Sequence, residues 1–324
     1  ADDHVPGAIS CPVLDDDERA LVGTLHAEQG AFEAKKAGAA LVSRHIAAIL
    51  ETVARDKPRD WAPLVYCWRG GKRSGSLAHV LNEIGFPAVQ LEGGYRTWRR
   101  HVVARLATLP AAFRYRVVCG VTGSGKSRLL AALDAEGAQV LDLEGLAQHR
   151  GSLLGDVPGA PQPSQKAFET AIHETYARFD LRRLVWIESE SRKIGALQVP
   201  DVLLEHMRAA PCVRVELPPA SRIALLKEEY AHFLADPGAL AARLAHLTEL
   251  RGQATIAHWS ALAHAGDFDA LVAELLESHY DPTYLRAMTR NYAGFAPAPH
   301  VSPAGIAMPA WRALARELIA ADDA

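Results

Sequence analysis

Cysteine is scarce in this chain: Cys11, Cys67, Cys119 and Cys212 are the only four in 324 residues. They stand far apart and form no Cys-x-x-Cys pair, which excludes a disulfide scaffold and points to a reducing, cytoplasmic compartment. No run approaches the roughly 18 apolar residues a membrane span needs, and Ala1-Asp2-Asp3-His4 has neither the basic nor the apolar region of a signal peptide. No membrane partner is therefore expected. The 14 histidines include no His-x-x-x-His or His-Glu-x-x-His spacing, so nothing argues for a transition-metal site. Excess charge is missing too. A net charge of −3 and a pI near 6.6 give no global pull toward a polyanion, and any nucleic-acid contact must come from local basic patches. There is no short-period repeat and no low-complexity tract. With 49% hydrophobic and 23% charged residues, the chain has material for two ordinary cores, which excludes a disordered or fibrous protein.

Short apolar runs alternate with helical stretches through the first two-thirds, a pattern that predicts α/β domains with parallel sheets and crossover helices. Leu64-Val65-Tyr66 reads as a strand, followed by a helix from Ser74 to Ile84, a strand at Ala88-Val89-Gln90-Leu91, and a helix from Tyr95 to Leu106. Thr108-Leu109-Pro110-Ala111-Ala112 then breaks the periodicity. The expected division is a first domain over 1–108, a linker over 109–113, a second α/β core over 114–217 and a helical extension over 218–324. Further strands are expected at Tyr115 to Cys119, Gln139 to Leu143, Leu184 to Ile187 and Cys212 to Leu217. Gly151 to Pro163, with three prolines and three glycines, reads as a long loop.

Two segments carry chemistry. Cys67 follows an apolar strand and opens Cys67-Trp68-Arg69-Gly70-Gly71-Lys72-Arg73-Ser74, which runs directly into a helix. A thiol at a strand's carboxyl end, wrapped by backbone N–H groups and facing a helix N-terminus, sits in a field that favours the thiolate. Gly70 and Gly71 let the loop curl around an anion, and Arg69, Lys72 and Arg73 supply cationic charge. A buried structural cysteine would explain Cys67 alone but not its glycine-rich, basic surroundings. The Cys-x5-Arg spacing from Cys67 to Arg73 also matches cysteine phosphatases, although no general acid stands out.

The second segment, Gly120-Val121-Thr122-Gly123-Ser124-Gly125-Lys126-Ser127, matches Gly-x4-Gly-Lys-Ser/Thr between a predicted strand and helix, the context of a P-loop. Gly120, Thr122, Gly123, Ser124 and Gly125 would cradle a diphosphate or triphosphate with their amides. Lys126 would reach the terminal phosphates, and Ser127 could hold Mg²⁺. Glu188 and Asp142 each end an apolar run where a metal-side carboxylate would stand, and either could instead cap a helix; Glu188 is favoured. His149-Arg150-Gly151-Ser152 and Arg192-Lys193 are basic clusters that composition alone reads as solvated faces.

The Cys67 loop and Leu91-Glu92-Gly93-Gly94-Tyr95-Arg96-Thr97-Trp98 resemble a rhodanese-family domain, and His4-Val5-Pro6-Gly7-Ala8-Ile9 resembles that family's His-Ile-Pro-Gly-Ala segment. In rhodaneses that segment follows a first strand. This chain begins there, so its first sheet is expected to be short of its amino-terminal part. A rhodanese-like domain followed by a P-loop NTPase-like domain, with Leu141-Asp142-Leu143-Glu144, His149-Arg150-Gly151-Ser152 and Ile187-Glu188-Ser189-Glu190-Ser191, resembles the tRNA 2-selenouridine synthases.

That resemblance implies a transferase that geranylates wobble 2-thiouridine of tRNA with geranyl diphosphate and then replaces the sulfur with selenium from selenophosphate. It further implies Cys67 as nucleophile or selenium carrier, a selenophosphate-producing enzyme as a partner, and tRNA contacts from Arg96, Arg99, Arg150, Arg192 and Lys193. The residues themselves leave open a P-loop kinase or NTPase with a regulatory or phosphatase-like cysteine domain, and a non-catalytic RNA-binding or sulfur-relay adaptor.

Overall fold

The computed structural model describes residues 2–322. The chain divides into two compact units, Asp3–Val103 and the residues from Ala104 onward. The division falls inside a helix, Tyr95–Leu106, ahead of the 3-10 turn Leu109–Ala112 that occupies the linker expected at 109–113.

The first unit opens with helices α1 (Asp16–Glu28) and α2 (Ala31–Ile49), so residues 16–54 are almost wholly helical where an α/β alternation was expected. The reason is local. Asp15 and Glu18 form a reciprocal capping box at the start of α1, and α2 is rich in alanine, the strongest helix former. With its π-turn continuation to Ala54, α2 also corrects the expectation about apolar segments. Over 24 residues it is long and apolar enough to cross a membrane by length and composition, because its charges gather at Glu33, Lys35 and Lys36 and only Arg44 and Glu51 follow over 37–54. In the unit it buries Ala34, Gly38, Leu41, Ile46 and Ile49.

Strands β1 (Leu64–Val65) and β2 (Val89–Gln90) pair in parallel, Leu64 opposite Val89 and Val65 opposite Gln90. Parallel neighbours need a crossover, and helix α3 (Lys72–Ile84) lies between them in sequence. Leu77 and Leu81, four apart on α3, join Val13, Ile46, Ile49 and Ala54 in one core. Gly85, at φ +107°, ends α3 in a left-handed cap. The core therefore fixes the start of α3, and with it the loop that carries Cys67.

In the second unit, β3 (Tyr115–Cys119), β4 (Gln139–Leu141), β5 (Val185–Glu188), β8 (Cys212–Val215) and β9 (His300–Val301) form a parallel sheet in the order β4-β5-β3-β8-β9. A separate antiparallel hairpin pairs β6 (Lys193–Ile194) with β7 (Leu197–Gln198). All four residues of β5 are buried, as expected of a central parallel strand covered on both faces. The helix after β3, Lys126–Ala135, packs Leu129, Leu130 and Leu133 with Val118, Val213, Trp311 and Leu314.

The C-terminal part is not purely helical. Helices from Pro219–Glu229 to Asp281–Asn291 come first, and then β9 adds to the sheet edge beside β8. The helix Met308–Asp322 lays Trp311, Leu314 and Ala315 into the core of the P-loop unit. Two strand residues among prolines carry no readable alternation, which is why the expected helical extension over 218–324 runs through them. The helices between hold a core of their own around Phe233, Leu244, Trp259, Leu271 and Leu275.

Candidate functional site

The phosphate loop joins the centre of the sheet to a helix. β3 ends at Cys119, the turn runs through Gly120 to Gly125, and the helix starts at Lys126. Packing explains the glycines at two positions. Gly120 has no room for a side chain, since a methyl would lie 2.7 Å from the Val215 carbonyl oxygen. Gly125 is left-handed, at φ +86°, and a methyl there would lie 2.5 Å from Cζ2 of Trp311 and closer still to Cη2.

Lys126 Nζ donates to Gly120 O at 2.8 Å and lies 4.9 Å above the Tyr284 ring. Tyr284 also accepts from Gly120 N at 3.0 Å and bonds Ser189 Oγ at 2.5 Å. Ser127 Oγ donates to Glu144 Oε2 at 3.1 Å, and Glu144 N donates to Glu188 Oε1 at 2.8 Å. Glu188, the last residue of β5, is 1% exposed, and its Oε2 has no hydrogen-bond partner among the described residues. Burial, then the charges of Asp142, Glu144 and Glu190, holds the Glu188 carboxyl well above the usual range. Glu190 is pushed up to about 8, by burial first and then by Glu144, with Lys126 opposing. Such carboxyls gain by meeting a cation.

Asp142 instead caps the short helix Leu143–Ala147, accepting from Gly145 N at 2.8 Å. Gly151 crosses the site so closely that a methyl on it would lie 3.0 Å from Glu190 and 3.1 Å from Glu144. The segment that composition reads as a solvated face thus lines the carboxylates. Arg150 stacks at 4.8 Å on Tyr230, with its Nη1 buried and unpartnered among the described residues.

Sequence reasoning missed Arg222, Asp281 and Tyr284, which lie 95 or more positions beyond the loop they support. Arg222 donates twice to Thr122 O, at 3.0 and 2.7 Å, and twice to Asp281, at 2.9 and 2.6 Å. Arg222 is 8% exposed and Asp281 is half-buried, and the pair fixes the loop from outside. Only a basic residue in the amphipathic helix Pro219–Glu229 marks it in the sequence.

In the first unit, Ser74 Oγ lies 3.4 Å from Cys67 Sγ as a donor and 3.2 Å from Gly71 O. Gln90 Nε2 donates to both Ser74 Oγ and Gly71 O, at 2.8 and 2.7 Å, which leaves the single hydroxyl proton of Ser74 free for the sulfur. Partial burial pushes the Cys67 thiol up, but the Ser74 hydroxyl, the backbone at Ser74 and Gly71, and the Arg73 charge outweigh it, and the thiol ends below its ordinary value. Gly94 is pressed against the Cys67 carbonyl, which accepts from Tyr95 N at 2.9 Å, and Trp68 stacks on Tyr95 at 5.0 Å. A groove beside the cysteine is lined by Leu14, Arg19, Val22, Trp68 and Arg73. Arg69 and Gly70 are exposed on the same loop.

Arg96 and Arg99 stand on the helix Tyr95–Leu106, Arg96 exposed and Arg99 half-buried. Arg192 pairs with Asp201 at 3.0 Å, and Lys193 is exposed in β6. Asp15, Glu18 and His45 also come together, but the capping box and a 2.6 Å bond from His45 to Glu18 account for them.

A parallel sheet whose central strand runs through a glycine loop into a helix, with a buried carboxylate on the next strand, defines a P-loop protein of the mixed α/β class. Residues 113–239 match the family model described as the tRNA 2-selenouridine synthase AAA domain. The chain is 34% identical over 312 residues to the tRNA 2-selenouridine synthase of Cupriavidus necator, covering 86% of this chain and 83% of that protein. It belongs to the tRNA 2-selenouridine synthase family. It is also 34% identical over 237 residues to the Nitrosomonas europaea protein of that name and 36% identical over 232 residues to the Aeromonas salmonicida one. Those matches cover 70% and 71% of this chain, but they span 59% and 61% of the two relatives.

Proposed function

We propose that this chain converts wobble 2-thiouridine of tRNA into 2-selenouridine in two transferase steps, one at each unit. The observation that carries the reading is the occurrence, in one member of this family, of a phosphate loop and a separately built anion cradle around an activated thiol.

In the first step the thiocarbonyl sulfur of the base attacks the allylic carbon of geranyl diphosphate. The C–O bond breaks, diphosphate leaves, and the base gives up its N3 proton. Gly120, Thr122, Gly123, Ser124 and Gly125, with Lys126, hold the departing diphosphate, where preorganised donors are worth most. Mg²⁺ fits beside them: Ser127 Oγ and the oxygens of Glu144 and Glu188 are hard ligands, and the unpartnered Glu188 oxygen is available. Bound there, it would neutralise charge on the leaving group.

Alkylation turns a poor leaving group into a thioether. In the second step the selenium of selenophosphate replaces the sulfur at C2: the C–S bond breaks and geranyl thiol departs, and water cleaves the P–Se bond to release phosphate. The first unit, read as rhodanese-like, holds the selenium donor with Arg69, Arg73, Gly70 and Gly71, and the Cys67 thiolate acts as nucleophile, bonding to C2 as geranyl thiol leaves and being displaced from C2 in turn by selenium. Arg96, Arg99, Arg150, Arg192 and Lys193 bind tRNA phosphates, and an enzyme that makes selenophosphate supplies the donor in the cytoplasm.

The test is mass spectrometry of nucleosides from 2-thiouridine tRNA treated with the protein, Mg²⁺, geranyl diphosphate and selenophosphate. Lys126→Ala is expected to abolish the geranylated base, and Cys67→Ala to allow it while abolishing the selenated one. No modified base from the folded parent chain would refute the reading.

A further inference from the structure

Beside the phosphate loop lies a pocket with almost wholly apolar walls. Leu240, Leu271 and Leu275 line it from the helical core, and Leu234, Phe268 and Val272 line it as half-buried residues. It is continuous with the loop: Thr122 is one of its walls, and Leu226, another, packs so tightly on Gly123 that a methyl there would lie 2.8 Å away. The Arg222–Asp281 pair grips Thr122 O, so this junction is rigid. Tyr230 also lines the pocket, and the Arg150 guanidinium lies on its ring. The polar groups, Thr122, Ser152, Lys227, Tyr230 and Tyr280, are few. Lys227 is already engaged by Asp269 at 2.7 Å.

A nucleoside next to a phosphate loop needs donors and acceptors for its base edge and ribose hydroxyls, and leucine walls offer none. A hydrocarbon chain needs only surface to bury. We propose that this pocket is the chain subsite of the second unit: it holds the isoprenoid tail of an allylic diphosphate whose phosphates lie in the loop, and its walls select the length of that tail. The assignment rests on the proposed reading of the loop as a diphosphate site. It adds what that reading leaves open, namely why the donor is a prenyl diphosphate rather than a nucleotide.

The experiment measures binding of inorganic diphosphate and of dimethylallyl, geranyl and farnesyl diphosphate to the full chain with Mg²⁺. Geranyl diphosphate is expected to bind at least about tenfold more tightly than inorganic diphosphate, since each buried carbon contributes. Val272→Phe and Leu234→Phe, which fill the pocket at half-buried positions, should remove most of that gain and move preference to the dimethylallyl compound, with inorganic diphosphate unaffected. Phe268→Ala should move preference toward farnesyl, a gain that misfolding cannot produce. Equal affinity for geranyl and inorganic diphosphate, or a gain that survives both filling variants, would overturn the proposal. If Lys126→Ala leaves inorganic diphosphate binding unchanged, the loop reading fails by itself. The pocket assignment then stands only if geraniol binds the parent chain and not Val272→Phe, and falls otherwise.

Discussion

Replacing Gly125 with alanine probes how the C-terminal helix holds the phosphate loop. The residue sits at φ +86°, and a methyl group would run into the six-membered ring of Trp311. That ring cannot swing away cheaply: it is fully buried, and its Nε1 donates to Ile306 O at 3.0 Å. Left-handed backbone costs an L-residue about 1–2 kcal/mol. Overpacking a tight core costs about 1–3 kcal/mol more, so Gly125→Ala should destabilise the second unit by roughly 2–5 kcal/mol. The two parts can be separated. Trp311→Leu removes the colliding ring at its own cavity cost, and in that background Gly125→Ala should lose only the backbone part, leaving a coupling of about 1–3 kcal/mol. Urea unfolding of the full chain, followed by far-UV circular dichroism so that loss of a tryptophan does not confuse the signal, reads all four corners of the cycle. A Gly125→Ala change below about 0.5 kcal/mol, or strictly additive effects, would refute the packing argument.

Other consequences are as direct. Iodoacetamide should alkylate Cys67 with an apparent pKa below that of an ordinary thiol, and Ser74→Ala should raise it by removing the hydroxyl that the sulfur accepts from; an unchanged profile in the variant would break that link. Arg222→Leu leaves the Thr122 carbonyl and the partly exposed Asp281 without their donor and should cost about 1–3 kcal/mol, part of which Asp281→Leu restores. Glu190, raised to about 8 in the folded chain, contributes stability that is fully present below the ordinary range near 4.5 and lost as pH rises through about 8. Its stabilising proton is held only in the fold, so the urea midpoint should fall between those pH values, and Glu190→Gln should flatten that fall. Glu188→Gln should leave the metal-free chain about as stable as the parent, because burial already favours the neutral acid, but should weaken Mg²⁺-dependent binding of inorganic diphosphate.

Much of this was legible in the sequence because two motifs carry their own context. Gly120–Ser127 lies between an apolar strand and a helix, and Cys67 lies between Leu64-Val65 and the helix that starts at Lys72. The strands at Val185 and Cys212 were readable as apolar runs because central parallel strands are buried on both faces. What escaped was long-range. Nothing near Arg222, Asp281 or Tyr284 signals that they close on a loop about 100 to 165 positions earlier, since only the packing of the helical region brings them there. The same holds for β9, two residues long, whose strand character comes from its neighbour β8 rather than from its own pattern. The helices over 16–54 were hidden for the opposite reason: alanine is apolar and a helix former at once, so an apolar run there has no strand meaning.

The central claim is that alkylation at the phosphate loop precedes selenium transfer at Cys67. A single-turnover time course on 2-thiouridine tRNA, with both donors present and nucleosides quantified by mass spectrometry, tests it most directly. The account predicts a geranylated base that rises and then falls as the selenated base appears, and that accumulates without decay in Cys67→Ala. Selenated base formed at the same rate with geranyl diphosphate omitted would contradict it.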